Sequence, residues 1–341
     1  MTKLALIGAG WSGRVHALAI AGSRSASLAT VSASTLGGAE SLAADLQVRA
    51  IAADRLPARA DAAVIATPST THAALAVALL DGGTPVLVEK PIATTLAGAD
   101  DIVDAAERTG VAACYAENLL FSPILDRAAD LRRPLGALRH LEVRCTQPTP
   151  DWGHYLAPLT DGGVLLEVGP HAIAVAIVLA GDDPIIGVRA KLASSRPDGA
   201  DDVAHLEMRH ASELISVVDL AWGPADEPTE WSAQVASDTG VVRAEFVPNP
   251  GVEVDGVPIG FAAAPGGIVD PRVHELGYLA QMEGFATVLA RSGGRVCPVG
   301  FGRAVLEIIC VAYLSAGRDG AAVELPFTGD RTRTPMQLWH D

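Results

Sequence analysis

Leu4-Ala5-Leu6-Ile7-Gly8-Ala9-Gly10-Trp11-Ser12-Gly13 is the stretch that decides how this chain is read. Four apolar residues, enough for a buried strand, run without a spacer into Gly8-x-Gly10-x-x-Gly13, and helix-like spacing follows to about Ala21. Each glycine has an expected task. Gly8 makes the tight turn, Gly10 lets backbone approach a pyrophosphate, and Gly13 permits close packing of helix on strand. The helix that opens at Trp11 and Ser12 then offers N–H groups and the positive end of its dipole to phosphates. A lone glycine pattern is weak evidence. At the first strand–helix junction of a repeating βαβ unit it points to a dinucleotide.

The repeat is there. Short apolar runs at Leu4–Ile7, Leu28–Ser32, Ala62–Ala66, Val86–Glu89 and Val111–Tyr115, with a weaker one at Val48–Ile51, read as strands. Helix-period segments near Gly13–Ala21, Ala39–Leu46, Thr71–Leu80 and Leu96–Arg108 separate them. Thr71 and Thr95 stand at expected N-caps, and Gly82-Gly83 and Gly110 at expected left-handed C-termini. This is the pattern of a doubly wound parallel sheet, a Rossmann domain over residues 1–120. From residue 121 to 341 the rhythm changes to an α+β domain. A helix at about Pro123–Leu131 precedes strands at His140–Thr146, Val188–Ala193, Ala204–Met208, Leu214–Leu220, Trp231–Ala236 and Val241–Phe246, spaced as an antiparallel sheet. Helices are expected at Pro170–Leu179, Glu275–Ala290 and Arg303–Ala316, and the C-terminal tail is expected to pack back on the first domain.

Composition narrows the function classes. The 341 residues carry 25 basic and 40 acidic side chains, a net charge of −15, without a Lys/Arg cluster. That surface repels a phosphate backbone and an anionic membrane, so neither nucleic acid nor membrane is an expected partner. Apolar residues at 49% and aromatics at only 4% describe a core of Ala, Val, Leu and Ile, suited to helices on a parallel sheet. The run after Met1 stops at Gly8, shorter than a signal peptide needs, and the longest later run, Ala172 to Ala180, cannot span a bilayer. Cys114, Cys145, Cys297 and Cys310 lack metal-type spacing and read as buried thiols of a reduced compartment, the cytoplasm.

The end of the second strand bears on the cofactor. An Asp or Glu there accepts hydrogen bonds from the ribose hydroxyls of NAD. Here the residues are Ser32-Ala33-Ser34-Thr35, with no carboxylate to repel a 2′-phosphate and three hydroxyls to donate to one. NADP(H) is therefore preferred and NAD(H) remains possible; no Arg or Lys follows to supply positive charge, although Arg24 or Arg55 could lie nearby. The plainer alternative is that Ser34 and Thr35 begin the turn and cap the next helix. Thr67-Pro68, on the carboxyl edge, and His72 after it fall on the side where ligands bind. Val86-Leu87-Val88 then runs directly into Glu89-Lys90-Pro91. A lysine at the carboxyl end of a buried parallel strand points toward the cofactor crevice, and Glu89 beside it could orient it.

Glu89-Lys90-Pro91, about eighty residues after the glycine loop and just after Ala66-Thr67-Pro68-x-x-x-His72, resembles the glucose-fructose oxidoreductase / inositol dehydrogenase (Gfo/Idh/MocA) family. Gly162-Gly163-Val164-Leu165-Leu166-Glu167-Val168-Gly169-Pro170-His171 resembles that family's Gly-Gly-x-x-x-Asp-x-Gly-x-His segment, and Ala116-Glu117-Asn118 and Tyr313-Leu314-Ser315-Ala316-Gly317 are further echoes. The resemblance implies a C-terminal open-faced sheet and a homodimer or homotetramer formed through it. It implies that Lys90 contacts substrate and nicotinamide ribose, that His171 exchanges a proton with the reacting hydroxyl or carbonyl, and that Asn118 lies near the cofactor. Glu167 stands where the family usually has Asp and meets His171 at i and i+4 if the segment is helical. Ala174 replaces an Asp many relatives carry. The implied activity is NAD(P)-dependent hydride transfer on a sugar, cyclitol or derivative. Alternatives are a member reducing a C=N bond or other non-sugar acceptor, and a non-catalytic NADP-binding sensor.

Trp152, in a proline-rich loop with Pro148, Pro150 and Pro158, is a candidate wall of the substrate pocket or equally a core filler. His16, His140, His205, His210, His274 and His340 have no evident partner constellation, and no metal site is expected.

Overall fold

The computed structural model describes residues 1–46, 48–52, 60–151, 162–195, 199–266, 270–291 and 293–340. In chain order the first part runs β1 (Thr2–Ile7), α1 (Trp11–Gly22), β2 (Ala26–Ala33), α2 (Leu36–Leu46), β3 (Arg49–Ala52) and β4 (Ala62–Ile65). It continues with α3 (His72–Asp81), β5 (Val86–Glu89), α4 (Leu96–Thr109) and β6 (Ala113–Ala116). The strands pair in parallel in the order β3-β2-β1-β4-β5-β6. The order reverses between β1 and β4, so the crevice at their carboxyl ends is flanked by Gly8 on one side and Ala66-Thr67 on the other.

Leu4, Leu6, Val64, Leu87 and Cys114 face one side of this sheet and bury against α1 and α2. Ala5, Ile7, Ala63, Ile65, Val86 and Val88 alternate with them and are buried too. Burial on both faces explains why these strands read as continuous apolar runs.

The remaining elements are α5 (Pro123–Arg132), β7 (Leu138–Pro148), α6 (Val164–Glu167), α7 (Gly169–Ala180), β8 (Ile185–Ala193), β9 (Val203–His210) and β10 (Ile215–Gly223). After these come β11 (Glu230–Ser237), β12 (Gly240–Val247), β13 (Gly251–Val254), β14 (Val257–Ile259), α8 (Pro271–Glu275), α9 (Tyr278–Leu289), α10 (Val299–Ala316), β15 (Val323–Glu324) and α11 (Pro335–His340). Nine strands form a second sheet ordered β14-β13-β12-β11-β7-β10-β9-β8-β15, antiparallel except for β7 beside β10. One face buries Leu141, Val143, Leu206, Met208, Val218, Val235 and Phe246. The alternate face carries a charged row in register across four strands, Lys191, His205, Asp219 and Arg144.

Chain contacts divide the protein into two compact units, Met1–Ala93 with Ala97–Phe121 and Ala264–Arg303, and Thr94–Leu96 with Ser122–Ala263 and Ala304–Asp341. The division expected at residues 120 and 121 falls between Phe121 and Ser122, and a later segment adds to the first unit. The segment that returns to the first unit is 264–303, whereas the tail, α11 included, stays with the second. The cause is the apolar face of α9. Tyr278, Leu279, Met282, Phe285 and Ala286 lie along one side of that helix and join the cluster built on Leu4 and Leu6.

Other expectations shift locally. The helix expected at about 275–290 is α9, which starts at Tyr278 because Gly277 takes a left-handed conformation (φ 85°) and separates it from the short α8 before it. Thr71 does not cap α3 with its side chain; residues Ser69–Thr71 form a 3-10 turn, and the Thr71 hydroxyl donates back to the Pro68 carbonyl at 2.8 Å. Gly83 and Gly110 are left-handed as expected, but Gly82 is not (φ −77°). The helix α10 is long and apolar enough to cross a membrane, unlike the uninterrupted run 172–180. Arg303 and Glu307 break its apolar run in the sequence, and 67% of it is buried in the protein.

Candidate functional site

The glycine loop shows which of its glycines the protein itself requires. Gly8 has φ 119°, and a Cβ on it would lie 2.1 Å from the Ala66 carbonyl oxygen. A Cβ on Gly13 would lie 2.2 Å from the Gly8 oxygen. At Gly10, by contrast, a Cβ would meet nothing within 4 Å. The first and third glycines serve the fold, while the second leaves space that no protein atom fills. Gly10 is also the N-cap of α1, where no side chain caps the helix and no acidic residue occupies the first turn. Backbone N–H groups and an uncompensated dipole therefore face an open surface, an arrangement suited to an anionic diphosphate. Trp11 beside it is half exposed, at 52%, and Ser12 is partly buried.

Along the same carboxyl edge, two buried histidines hold the turns in place. His72 is 1% exposed, with Nδ1 2.9 Å from the Pro91 carbonyl oxygen and Nε2 2.9 Å from that of Thr67. Both ring nitrogens face main-chain carbonyl oxygens, so His72 lies between the Thr67-Pro68 turn and the Lys90-Pro91 turn and ties them together. Thr67 donates to the Thr71 hydroxyl at 2.7 Å, since that hydroxyl gives its own hydrogen to Pro68.

Glu89 is likewise held inside the domain. It is 5% exposed, and its carboxylate is turned into the domain, with Oε1 2.7 Å from His16 Nε2 and Oε2 accepting the Lys90 backbone N–H at 2.8 Å. Glu89 thus acts on Lys90 through the main chain. Burial pushes its carboxyl up, but the hydrogen bond and charge of His16 and the neighbouring Lys90 outweigh that and hold it below the usual glutamate range. His16, read from sequence as lacking a partner, is fully buried against this carboxylate and edge-on to the Tyr278 ring, with centroids 5.9 Å apart. Lys90 itself is partly buried at the end of β5.

Asn118 is 2% exposed and its amide donates to the Leu276 carbonyl at 2.7 Å, anchoring the α8–α9 junction. The Gln281 side-chain oxygen accepts the backbone N–H of Glu117 and of Asn118 in the same region. At the end of β2, Ser32 is buried while Ser34 and Thr35 are exposed. The Thr35 hydroxyl accepts the Gly38 N–H at 3.2 Å, so it caps α2, as the plainer alternative held.

In the second unit, Gly162 and Gly163 fold onto a residue that sequence reasoning missed. A Cβ on Gly163 would stand 2.0 Å from the Asp201 carbonyl oxygen. Asp201 is fully buried. Its main-chain oxygen accepts the Val164 N–H at 2.8 Å, its side chain accepts the Leu165 N–H at 2.9 Å, and the Tyr313 hydroxyl donates to the same carboxylate. The Gly163 N–H in turn reaches the Tyr313 hydroxyl at 3.3 Å. Burial pushes the Asp201 carboxyl up to about 6 in spite of those donors. This arrangement starts the segment that carries Glu167 and His171.

That segment is helical but interrupted: α6 ends at Glu167, and α7 begins after Val168. Glu167 is 4% exposed and accepts a hydrogen bond from Gln147 Nε2 at 3.1 Å. His171, also 4% exposed, lies against the Trp231 ring of β11 at 5.4 Å. Gln147 and Trp231 carried no sequence signal, since only the pairing of β7 with β11 brings them beside α6 and α7. Ala174 is fully buried on α7. Trp152 lies outside the described residues, as do Arg55 and Pro158. Of the other histidines, His140, His205 and His210 have partners, Glu142 at 3.3 Å, Asp219 at 2.7 Å and Ser216 at 2.7 Å among them. Among the described residues no group of three or more His, Cys, Asp or Glu is arranged to hold a metal ion.

Two family models match this chain, described as "Oxidoreductase family, NAD-binding Rossmann fold" over residues 2–117 and "GFO/IDH/MocA C-terminal domain" over residues 132–243. The chain belongs to the Gfo/Idh/MocA oxidoreductase family. Two relatives from Rhizobium meliloti are similar to it. The rhizopine catabolism protein MocA is 32% identical over 187 residues, 53% of this chain and 58% of that protein. An inositol 2-dehydrogenase is 28% identical over 188 residues, 54% of this chain and 56% of that protein. The chain therefore matches little more than half the length of these relatives. The solved structure of GenD2 from gentamicin A biosynthesis, in complex with NAD, shares the fold with a TM-score of 0.82 and 22% identity, covering 96% of this chain and 97% of that one. The first third of this chain is thus an NAD-binding Rossmann fold of an oxidoreductase family.

Proposed function

We propose that this Gfo/Idh/MocA protein is an NAD(P)-dependent dehydrogenase or reductase acting on a hydroxyl/carbonyl pair in a small polar substrate, a sugar, cyclitol or derivative. The observation that carries the reading is the placement of Lys90. It directly follows β5 of the same parallel sheet, on the same carboxyl edge, as a glycine loop whose middle residue faces open space. A bound nicotinamide supplies or accepts the hydride at its C4. The chain's own groups do the rest. The N–H groups around Gly10 to Gly13 hold the diphosphate, Lys90 holds and polarises the substrate oxygen, and His171 takes or gives the hydroxyl proton. Glu167 keeps a buried carboxylate near the start of α7, where it helps hold substrate. Alignment of the reacting groups contributes much of the rate.

NADP(H) is the preferred cofactor in this reading. What supports it is the missing carboxylate after β2 together with the exposed Ser34; the cap formed by Thr35 takes away part of the hydroxyl argument. A homodimer or homotetramer assembled through the charged face of the second sheet, and a cytoplasmic setting for four buried free thiols, complete the proposal.

The test combines fluorescence titration by NADPH and NADH with a panel of polyols and sugars read by nicotinamide absorbance. NADPH is expected to bind more tightly, and tighter NADH binding overturns that preference. Lys90→Ala is expected to keep NAD(P)H binding within a few fold and to lower turnover by about a hundredfold or more. Unchanged turnover in that variant removes the catalytic assignment.

A further inference from the structure

A histidine outside the reacting groups is built into the support of Lys90. His16 sits on α1, three residues beyond Gly13, on the helix whose N-terminus faces the diphosphate site. Its ring is fully buried, and its Nε2 lies 2.7 Å from Glu89 Oε1. The other oxygen of Glu89 accepts the Lys90 backbone N–H at 2.8 Å. One carboxylate therefore joins the first helix of the cofactor domain to the main chain of the lysine. The proton can be placed. His16 Nδ1 is buried with no hydrogen-bond partner among the described residues. Nε2, the nitrogen that faces Glu89, carries a hydrogen and donates it to the carboxylate. Burial strengthens that bond, because no water competes for either partner.

We propose that His16 is a positioning residue of the hydride-transfer site: through Glu89 it sets the main chain of Lys90 relative to the helix that holds the dinucleotide diphosphate. This rests on the function proposed above. The bond spans two elements that are 73 residues apart in sequence. Without it, Glu89 would be a buried carboxylate with one oxygen unpaired, and a change of its rotamer would release the Lys90 N–H. The diphosphate contacts come from main-chain N–H groups in the first turn of α1, about one turn before His16, and those groups take no part in the bond. Dinucleotide affinity and the pose of Lys90 are therefore separable, and that separation is what the test reads.

The probes are NADH and trinitrobenzenesulfonate, with modification of Lys90 followed by peptide mass spectrometry and folding checked by thermal melting. In the unaltered protein, NADH is expected to slow trinitrophenylation of Lys90 about tenfold. His16→Phe is expected to bind NADH within about threefold of the unaltered protein yet to lose most of that protection. His16→Gln, which keeps a side-chain N–H donor, is expected to restore it. If His16→Phe does not fold, Glu89→Met removes the same bond from the other end at similar volume and carries the same expectation. Protection of Lys90 that survives in the folded variant overturns the positioning role and leaves the functional reading standing. Absence of protection in the unaltered protein removes both, because Lys90 then does not lie at the cofactor. Loss of NADH affinity in parallel with loss of protection also overturns the role, since it marks a general disruption of the domain.

Discussion

At the scale of the residue, glycines with identical sequence signatures separate into two kinds. Gly8 and Gly13 have no room for a methyl group because backbone oxygens stand about where it would go, whereas Gly10 has nothing within 4 Å. Gly8→Ala and Gly13→Ala should each lower stability by on the order of 2–4 kcal/mol. Gly10→Ala should leave the melting temperature unchanged and weaken NAD(P)H binding; paired melting and fluorescence titrations of the three variants check this. Asp201 gives a prediction with a sign. Its carboxyl stands at about 6, above the 3.8 of an ordinary aspartate. Between those values the folded protein binds more protons than the unfolded chain, so this group's contribution to stability falls as pH rises through that window and stays low above it. Against Asp201→Asn, which cannot ionise, the unaltered protein should lose on the order of 2 kcal/mol between about pH 4 and pH 7. Urea melts of both proteins across that range would show it, and parallel curves would refute it.

Among the elements, strands buried on both faces were legible because every position is apolar, and β1, β4 and β5 begin and end close to where composition changes. Helix ends were legible where glycine supplies a left-handed residue, as at Gly83 and Gly110. Reading failed where an element is stabilised from outside itself. The four-residue α6 has no helical signal of its own and depends on Asp201, some 36 residues away. The break at Gly277 was hidden by apolar spacing that continues through it. The partner of α9 was hidden for a related reason: an amphipathic helix declares that it has a buried face but not what covers that face. Phe285, fully buried in the first unit's core, should therefore behave as a Rossmann-domain residue. Phe285→Ala is expected to cost about 3–5 kcal/mol and to reduce dinucleotide binding through partial unfolding. Denaturant melts with and without NADH separate that from a local effect in the second unit.

For the molecule as a whole, the strongest claim beyond the single chain concerns the open face of the nine-stranded sheet. Lys191, His205, Asp219 and Arg144 form a row that crosses four strands, with Asp219 its one acidic member. A second copy packed on this row is held in register by what it sets opposite the Asp219 carboxylate, which specifies orientation more than it adds affinity. Asp219→Arg should shift the proposed oligomer toward monomer, and added salt should do the same in part. Light scattering after size exclusion measures both, and a monomeric unaltered protein would end the proposal.

The stretch from Leu4 to Gly13, read within its βαβ repeat, marked in sequence where the Rossmann fold begins, because strand, turn and helix start are local; what denies Gly8 a side chain, the Ala66 carbonyl, is not. Lys90 and His171 were likewise named by local motifs. What those residues rest on was decided only by tertiary structure. His16 meeting Glu89, His72 bridging Thr67 and Pro91, Asp201 beneath Gly163 and α9 against α1 all join positions far apart in sequence. A hydrogen-bonding or apolar side chain states in sequence that it needs a partner, and only the packed chain says which partner it receives.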